Sequence, residues 1–166
     1  MTSLDMTIAP ELPGDFDAIE NLNARAFGPG RFAKTAYRLR DGVPSAEGLC
    51  FVARVGTLLV ASIRLSGLDI AGVPGLLLGP LTVEPAFKSK GIGQVLLRTS
   101  LDAALAQGHR LVILVGDEPY YAKVGFKRVP DGRLILPGPV NPARLLYSEL
   151  VAGAFEGVSG AVKSGT

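Results

Sequence analysis

One stretch constrains this chain more than any other. An apolar run at residues 76–83 passes through Glu84-Pro85-Ala86-Phe87-Lys88-Ser89-Lys90-Gly91-Ile92-Gly93 into a helical pattern that lasts to Gln107. A second apolar run, 111–115, follows. Strand, basic glycine-rich turn, helix and strand in that order predict a crossover helix between two strands of one sheet. The first N–H groups of a helix have no helical acceptors, and its dipole favours negative charge there. A basic turn that opens such a helix is therefore expected to hold an anion, and a pyrophosphate fits it. Gly91 and Gly93 are expected to let a phosphate approach the main chain with no Cβ in the way. Lys88 and Lys90 add positive charge.

The rest of the chain surrounds that unit with short elements. Met6-Thr7-Ile8 reads as a first strand, and Asp15 as the N-cap of a helix over 16–27 that turns Ile19, Leu22 and Ala26 inward. A second helix is expected over 32–39. The β-rich stretch 49–55, the turn Gly56-Thr57 and the stretch 58–65 read as a hairpin. The sequence Ala71-Gly72-Val73-Pro74-Gly75 reads as a turn before the strand at 76–83. The helix over 91–107 is expected to bury Leu97, Leu101, Ala104 and Leu105. The run 111–115 has the character of a strand buried on both faces. A short helix is expected over 118–124, closed by Gly125, and strands at 126–129 and 145–151. Residues from 157 onward are small and are expected to be mobile. No repeat or long linker divides the 166 residues, so one domain with a mixed α/β sheet is expected, not a doubly wound one.

Composition excludes several classes of function. Net charge is +2 with no long basic block, so nucleic acid is not implied. No apolar run approaches the roughly eighteen residues of a membrane helix, and no signal peptide is read at the start. Cys50 is the one cysteine, in an apolar run, and is expected to be a buried structural thiol in a reducing cytoplasm. His109, the one histidine, is expected at a helix end, and no metal site is expected.

Three stretches resemble the GNAT superfamily of N-acetyltransferases, and within it the small YhbS-like group. Leu78-Gly79-Pro80-Leu81-Thr82-Val83-Glu84-Pro85 is similar to that family's central strand. Lys88-Ser89-Lys90-Gly91-Ile92-Gly93 is similar to its pyrophosphate loop, Gln/Arg-x-x-Gly-x-Gly/Ala. Gly116-Asp117-Glu118-Pro119-Tyr120-Tyr121-Ala122-Lys123-Val124-Gly125-Phe126 resembles its Tyr-x-x-x-Gly-Phe segment. One departure is Lys88 where Gln or Arg is usual, which keeps charge but loses the planar two-pronged grip of Arg.

The resemblance implies an acyl-CoA N-acyltransferase fold that moves acetyl from acetyl-CoA to a primary amine by direct attack in a ternary complex. The main chain of Lys88, Ser89, Lys90, Gly91, Ile92, Gly93 and Gln94 would bind the coenzyme A pyrophosphate. The strand edge at Leu81, Thr82 and Val83 would pair with the pantetheine amides, and the N–H of Val83 would face the carbonyl oxygen. Tyr121 would protonate the departing thiolate, and its neighbour Tyr120, which points elsewhere on a helix, is expected to be a packing or pocket-wall residue. Glu84 is the candidate base that takes the amine's proton, with Asp117 the weaker alternative. The first helices would roof the acceptor, which brings Arg25, Arg31, Arg38 and Arg40 into question; an ordinary solvated face is the favoured reading of these four. The acceptor is an amine on a small molecule or a peptide, and pairing through late strands makes a homodimer an option. A non-catalytic acyl-CoA sensor, a longer acyl donor and an acyl carrier protein stay open as alternatives. A dinucleotide-binding reading is disfavoured, because the turn carries only Gly-x-Gly after an antiparallel run.

Overall fold

The computed structural model describes residues 6–27, 39–40 and 44–165. Among these, nine strands form one connected sheet system with the order β1-β2-β3-β4-β5-β8-β6 and a side branch of β7 and β9. The strands are β1 (Met6–Pro10), β2 (Phe51–Val55), β3 (Leu58–Ile70), β4 (Val73–Val83), β5 (Leu111–Val115), β6 (Lys127–Arg128), β7 (Leu134–Ile135), β8 (Leu145–Glu149) and β9 (Gly160–Ser164). The helices are α1 (Phe16–Phe27), α2 (Ile92–Ala106) and α3 (Glu118–Ala122). Strands β1 to β4 run antiparallel in sequence order, β4 and β5 are parallel, and β5, β8 and β6 close the row antiparallel. The mixed α/β fold expected from the sequence is the one observed, with α2 as the crossover between the parallel pair.

Both faces of the sheet are covered. On one face Ile92, Leu96, Leu97, Leu101 and Ala104 of α2 pack on Phe51, Ile63, Leu76, Leu78, Val112 and Leu114. On the other, Ile19 and Leu22 of α1 pack on Val52 and Leu59, and Phe155, Val158 and Val162 cover Ile70, Leu77, Leu111 and Ile113. Strand β5 thus sends Val112 and Leu114 to one core and Leu111 and Ile113 to the other, as its unbroken apolar run predicts. Burying these side chains supplies the main driving force, about 1.5–3 kcal/mol for each large one.

Several expectations need correction. Within the stretch from 157 onward, expected to be mobile, Gly160–Ser164 form β9, which pairs antiparallel with Leu68, Asp69 and Ile70 and parallel with β7. Small residues are what permit this docking. The N–H of Gly165 donates to the carbonyl of Gly67 at 2.8 Å, and a Cβ on Gly165 would lie 2.6 Å from the carbonyl carbon of Gly67. The turn expected over 71–75 is only Ala71-Gly72; both have positive φ, 49° and 95°, so the chain reverses in two residues and Pro74 already pairs with Asp69. Leu105 is 48% exposed, on the outer side of α2. Asp15 does not cap α1; it ends a 3-10 turn, Pro13–Asp15, and its carboxylate accepts from the N–H of Leu12 at 3.0 Å and pairs with Arg54. The helix expected over 32–39 lies outside the described residues except for Leu39, which is buried. Cys50 is a buried, free thiol, pushed up from its ordinary pKa by burial.

Candidate active site

The site begins where β4 and β5 part. Their parallel pairing covers only Leu76 with Val112 and Leu77 with Ile113. Beyond Leu77 no residue of β4 is in register with β5. On the opposite edge β4 stays with β3, where Leu65 faces Leu78 and Ile63 faces Leu81. Two steps along β3 thus match three along β4, so β4 carries an extra residue at Gly79-Pro80. Gly79 has φ 134°, a value that suits glycine.

The register then decides which groups face the gap. The N–H of Glu84 donates to the carbonyl of Val60 at 2.7 Å. Bonded and non-bonded pairs alternate in an antiparallel ladder. Glu84 and Thr82 therefore bond toward β3, while Leu81 and Val83 turn their N–H and C=O groups toward the side that β5 has left. Leu81 and Val83 offer the open edge expected of the strand. Thr82 does not: its main chain faces β3, and its hydroxyl donates to Asn23 Oδ1 of α1 at 2.5 Å, with both residues buried.

The loop after β4 ends in an uncapped helix start. Pro85–Phe87 form a 3-10 turn, and the N–H of Lys88 is taken up by the Pro85 carbonyl at 3.3 Å. The available donors therefore begin after Lys88. Ser89 and Gly91 both have positive φ, 68° and 79°, and alternation of this kind curls successive N–H groups into an anion-binding nest. Gly91 is the N-cap of α2 with no side-chain cap, and Val95 is the first residue whose N–H returns to it. The N–H groups of Ile92, Gly93 and Gln94 thus have no acceptor within the helix. Lys88, Ser89, Lys90 and Gly91 are exposed, so the nest opens to solvent with two ammonium groups beside it.

The two glycines have different reasons. Gly91 has open space around it and is needed for its backbone angle. Gly93 is buried in the first turn of α2, and the place of its missing Cβ is taken by the hydroxyl of Tyr120. The expectation that Gly93 clears a path for phosphate is corrected to that extent: it makes room for a tyrosine. A Cβ there would also lie 3.6 Å from Val83 Cγ2, so Tyr120 meets the end of β4 and the start of α2 together. The Gln94 amide secures the contact by donating to the Tyr120 carbonyl at 3.1 Å. Burial raises the Tyr120 hydroxyl, and the Gln94 side chain opposes that rise.

Tyr121 is more deeply placed. Its ring lies over Gly116, where any side chain would collide with it, and stands edge-on to Phe126 and Tyr120 at centroid distances of 5.9 and 5.0 Å. Burial pushes its pKa up to about 12; Tyr120 and Asp117 add to the rise and Arg144 opposes it. The phenol therefore stays protonated, as a proton donor must, although it is a weaker acid than a free tyrosine. Both carboxylates considered as bases are paired. Arg25 of α1 reaches Glu84 Oε2 at 2.7 Å, and Arg144 reaches Asp117 Oδ1 at 3.0 Å. Sequence reasoning missed both partners. The one available signal for Arg25 was its place in the last turn of α1, beside a helix expected to roof the acceptor. Arg31 and Arg38 lie outside the described residues. Among the described residues no cluster of metal-ligating side chains occurs.

A parted parallel pair, an open strand edge and an anion nest at the next helix form one continuous track. Residues 46–128, which contain that track, match the family model of the acetyltransferase (GNAT) domain. The chain belongs to the GNAT acetyltransferase family. Its fold is similar over 99% of its length to 92% of the GNAT family N-acetyltransferase YhbS of Escherichia coli, solved in complex with CoA, at 25% identity and a TM-score of 0.83. It is also similar to a GNAT family acetyltransferase of Brucella melitensis in complex with acetyl-CoA. Identity there is 27%, coverage 93% of this chain and 100% of that one, and the TM-score 0.64. Among curated proteins it is 27% identical over 118 residues to the uncharacterized N-acetyltransferase YjhQ of Escherichia coli strain K12. That match covers 68% of this chain and 65% of the relative, slightly under two thirds of its length.

Proposed function

We propose that this protein transfers acetyl from acetyl-CoA to a primary amine, on a small molecule or a peptide, by direct attack within a ternary complex. The observation that carries the reading is the open edge of Leu81 and Val83 leading directly to the donors of Ser89 to Gln94. A pantetheine amide chain matches the first part by strand addition. A pyrophosphate matches the second by charge and by geometry.

The residues then have separate tasks. Glu84 takes a proton from the ammonium of the acceptor, and the freed nitrogen lone pair attacks the thioester carbonyl carbon. The N–H of Val83 faces the oxygen on which charge builds. As the carbon–sulfur bond breaks, the Tyr121 hydroxyl gives its proton to the departing sulfur and regains one from solvent, while the nitrogen, positively charged after its attack, releases its second proton to water and leaves as a neutral amide. Cys50 is buried under β3, which disfavours a covalent acyl-enzyme. Tyr120 braces the first turn of α2 and lines the track. The shared sheet supports reading the chain as a single domain. The free thiol favours a cytoplasmic setting, and among the described residues no helix is long and apolar enough to cross a membrane.

The test is release of free thiol from acetyl-CoA in the presence of a panel of primary amines, with mass spectrometry of the products. Acetylated amine formed by the wild type and slowed by Tyr121→Phe, with acetyl-CoA affinity little changed, supports the reading. Acetyl-CoA binding without turnover of any amine would favour a sensor instead.

A further inference from the structure

Helix α1 is fastened to the end of β4 at two places, each two residues apart. Asn23 accepts from Thr82 in a buried contact of 2.5 Å. Arg25 donates to Glu84 across 2.7 Å near the surface, where the side chains are 51% and 24% exposed. The two ties differ in what they fix. The buried one holds the helix on the strand. The outer one adds little stability, because exposed ion pairs are screened and lose side-chain entropy, but it fixes the direction of the Glu84 carboxylate. The main chain of Glu84 is already anchored to Val60 at 2.7 Å, so the side-chain torsions are the freedom that Arg25 removes.

We propose that Arg25 is a positioning residue for Glu84 in the acyl transfer. This inference rests on the acetyltransferase reading with Glu84 as the base. Arg25 engages Oε2 and keeps the carboxylate turned along the end of β4, while Oε1 has lone pairs with which to take the acceptor's proton. The proton moves from the ammonium nitrogen to Oε1, and the guanidinium keeps its own protons throughout. Because α1 belongs to the region that covers the acceptor in this reading, the same contact ties the acceptor roof to the base. The sequence separation of 59 residues between the partners means that no local pattern announces it.

The experiment compares Arg25→Met, Arg25→Lys, Glu84→Gln and the Arg25→Met/Glu84→Gln double variant with the wild type. Acetyl-CoA affinity is measured by calorimetry. The kcat and KM are measured with putrescine, spermidine, tyramine, lysine and the tripeptide Ala-Ala-Ala, using whichever the wild type acetylates. A general base contributes on the order of 100-fold or more, so Glu84→Gln is expected to lower kcat by about that factor. Arg25→Met is expected to lower kcat by about tenfold, with acetyl-CoA affinity unchanged. Arg25→Lys, which keeps a cation within reach, is expected to recover most of the loss. The double variant is expected to fall no lower than Glu84→Gln alone, since a positioning residue has nothing left to position. An active wild type whose kcat is unaffected by Arg25→Met or by Glu84→Gln, or losses that multiply in the double variant, would overturn this inference alone. A wild type that acetylates none of these amines would overturn it together with the reading on which it rests.

Discussion

The hydroxyl of Tyr120 fills the space that a side chain on Gly93 would need, so α3 is keyed into the first turn of α2 at the end of β4. The obstruction is the far end of a side chain, with the ring carbon Cζ at 3.4 Å from the Cβ position. Gly93→Ala is expected to displace Tyr120 and lower stability by about 1–2 kcal/mol, as overpacking does, despite alanine's better helix propensity. Tyr120→Phe removes the colliding oxygen and is expected to restore most of that loss in the double variant. Urea unfolding of the four proteins checks this. Equal effects of Gly93→Ala with and without Tyr120→Phe would contradict it.

Gly91 is governed by backbone angle and not by space. A side chain there meets open solvent, but φ 79° costs an L-residue about 1–2 kcal/mol. Gly91→Ala is expected to weaken acetyl-CoA binding about tenfold, since straightening the turn turns nest donors away. Gly91→Asn should be milder, because asparagine visits the left-handed region more easily. Calorimetric titration of both variants makes the comparison.

Tyr121 carries a pH signature. Its pKa is about 12 in the folded protein against about 10 when unfolded. Below pH 10 both states are protonated and its full contribution to stability is present. Between pH 10 and 12 the unfolded state loses the proton first, so stability falls as pH rises, by about 2–3 kcal/mol. Tyr121→Phe should remove that part of the alkaline loss. Unfolding free energies at pH 9 and pH 12 for the two proteins test the sign; the same decline in both would contradict it.

Strand β9 is a structural part of the sheet. Val162 is buried with Ile70 and Leu68, and Val162→Ala is expected to cost about 1–3 kcal/mol. Gly165→Ala would set a Cβ 2.6 Å from the Gly67 backbone, which has no flexible end to yield. It should release the last turn of chain and expose the Gly67 carbonyl. Hydrogen exchange at Gly165 and along β9 measures that release.

The parts of this fold legible in sequence are those set by local periodicity or local turn chemistry. The unbroken run of β5 and the 3.6-residue pattern of α2 need no partner to be recognised, and the basic loop between β4 and α2 announces a helix start. What stayed hidden depends on contacts between distant residues. Gly67 and the small residues near the end of the chain look like breaks, yet their smallness is what lets two backbones meet. Ala71 gives no warning that it adopts a left-handed angle, so β4 begins at Val73, earlier than the local turn signals suggest. At the site, Ser89 and Gly91 were readable as an anion turn, but the role of Gly93 was not, because Tyr120 lies 27 positions away. The pairing of Glu84 with Arg25 was equally invisible, since an exposed arginine in a last helical turn is commonplace.

The central claim is that the edge of β4 and the start of α2 form one acetyl-CoA track. Its most direct test is calorimetric titration of the wild type with acetyl-CoA, with dephospho-CoA and a long-chain acyl-CoA as comparators. The account predicts saturable binding with one site per chain, weakened by Gly91→Ala. Absence of binding by any acyl-CoA would contradict it.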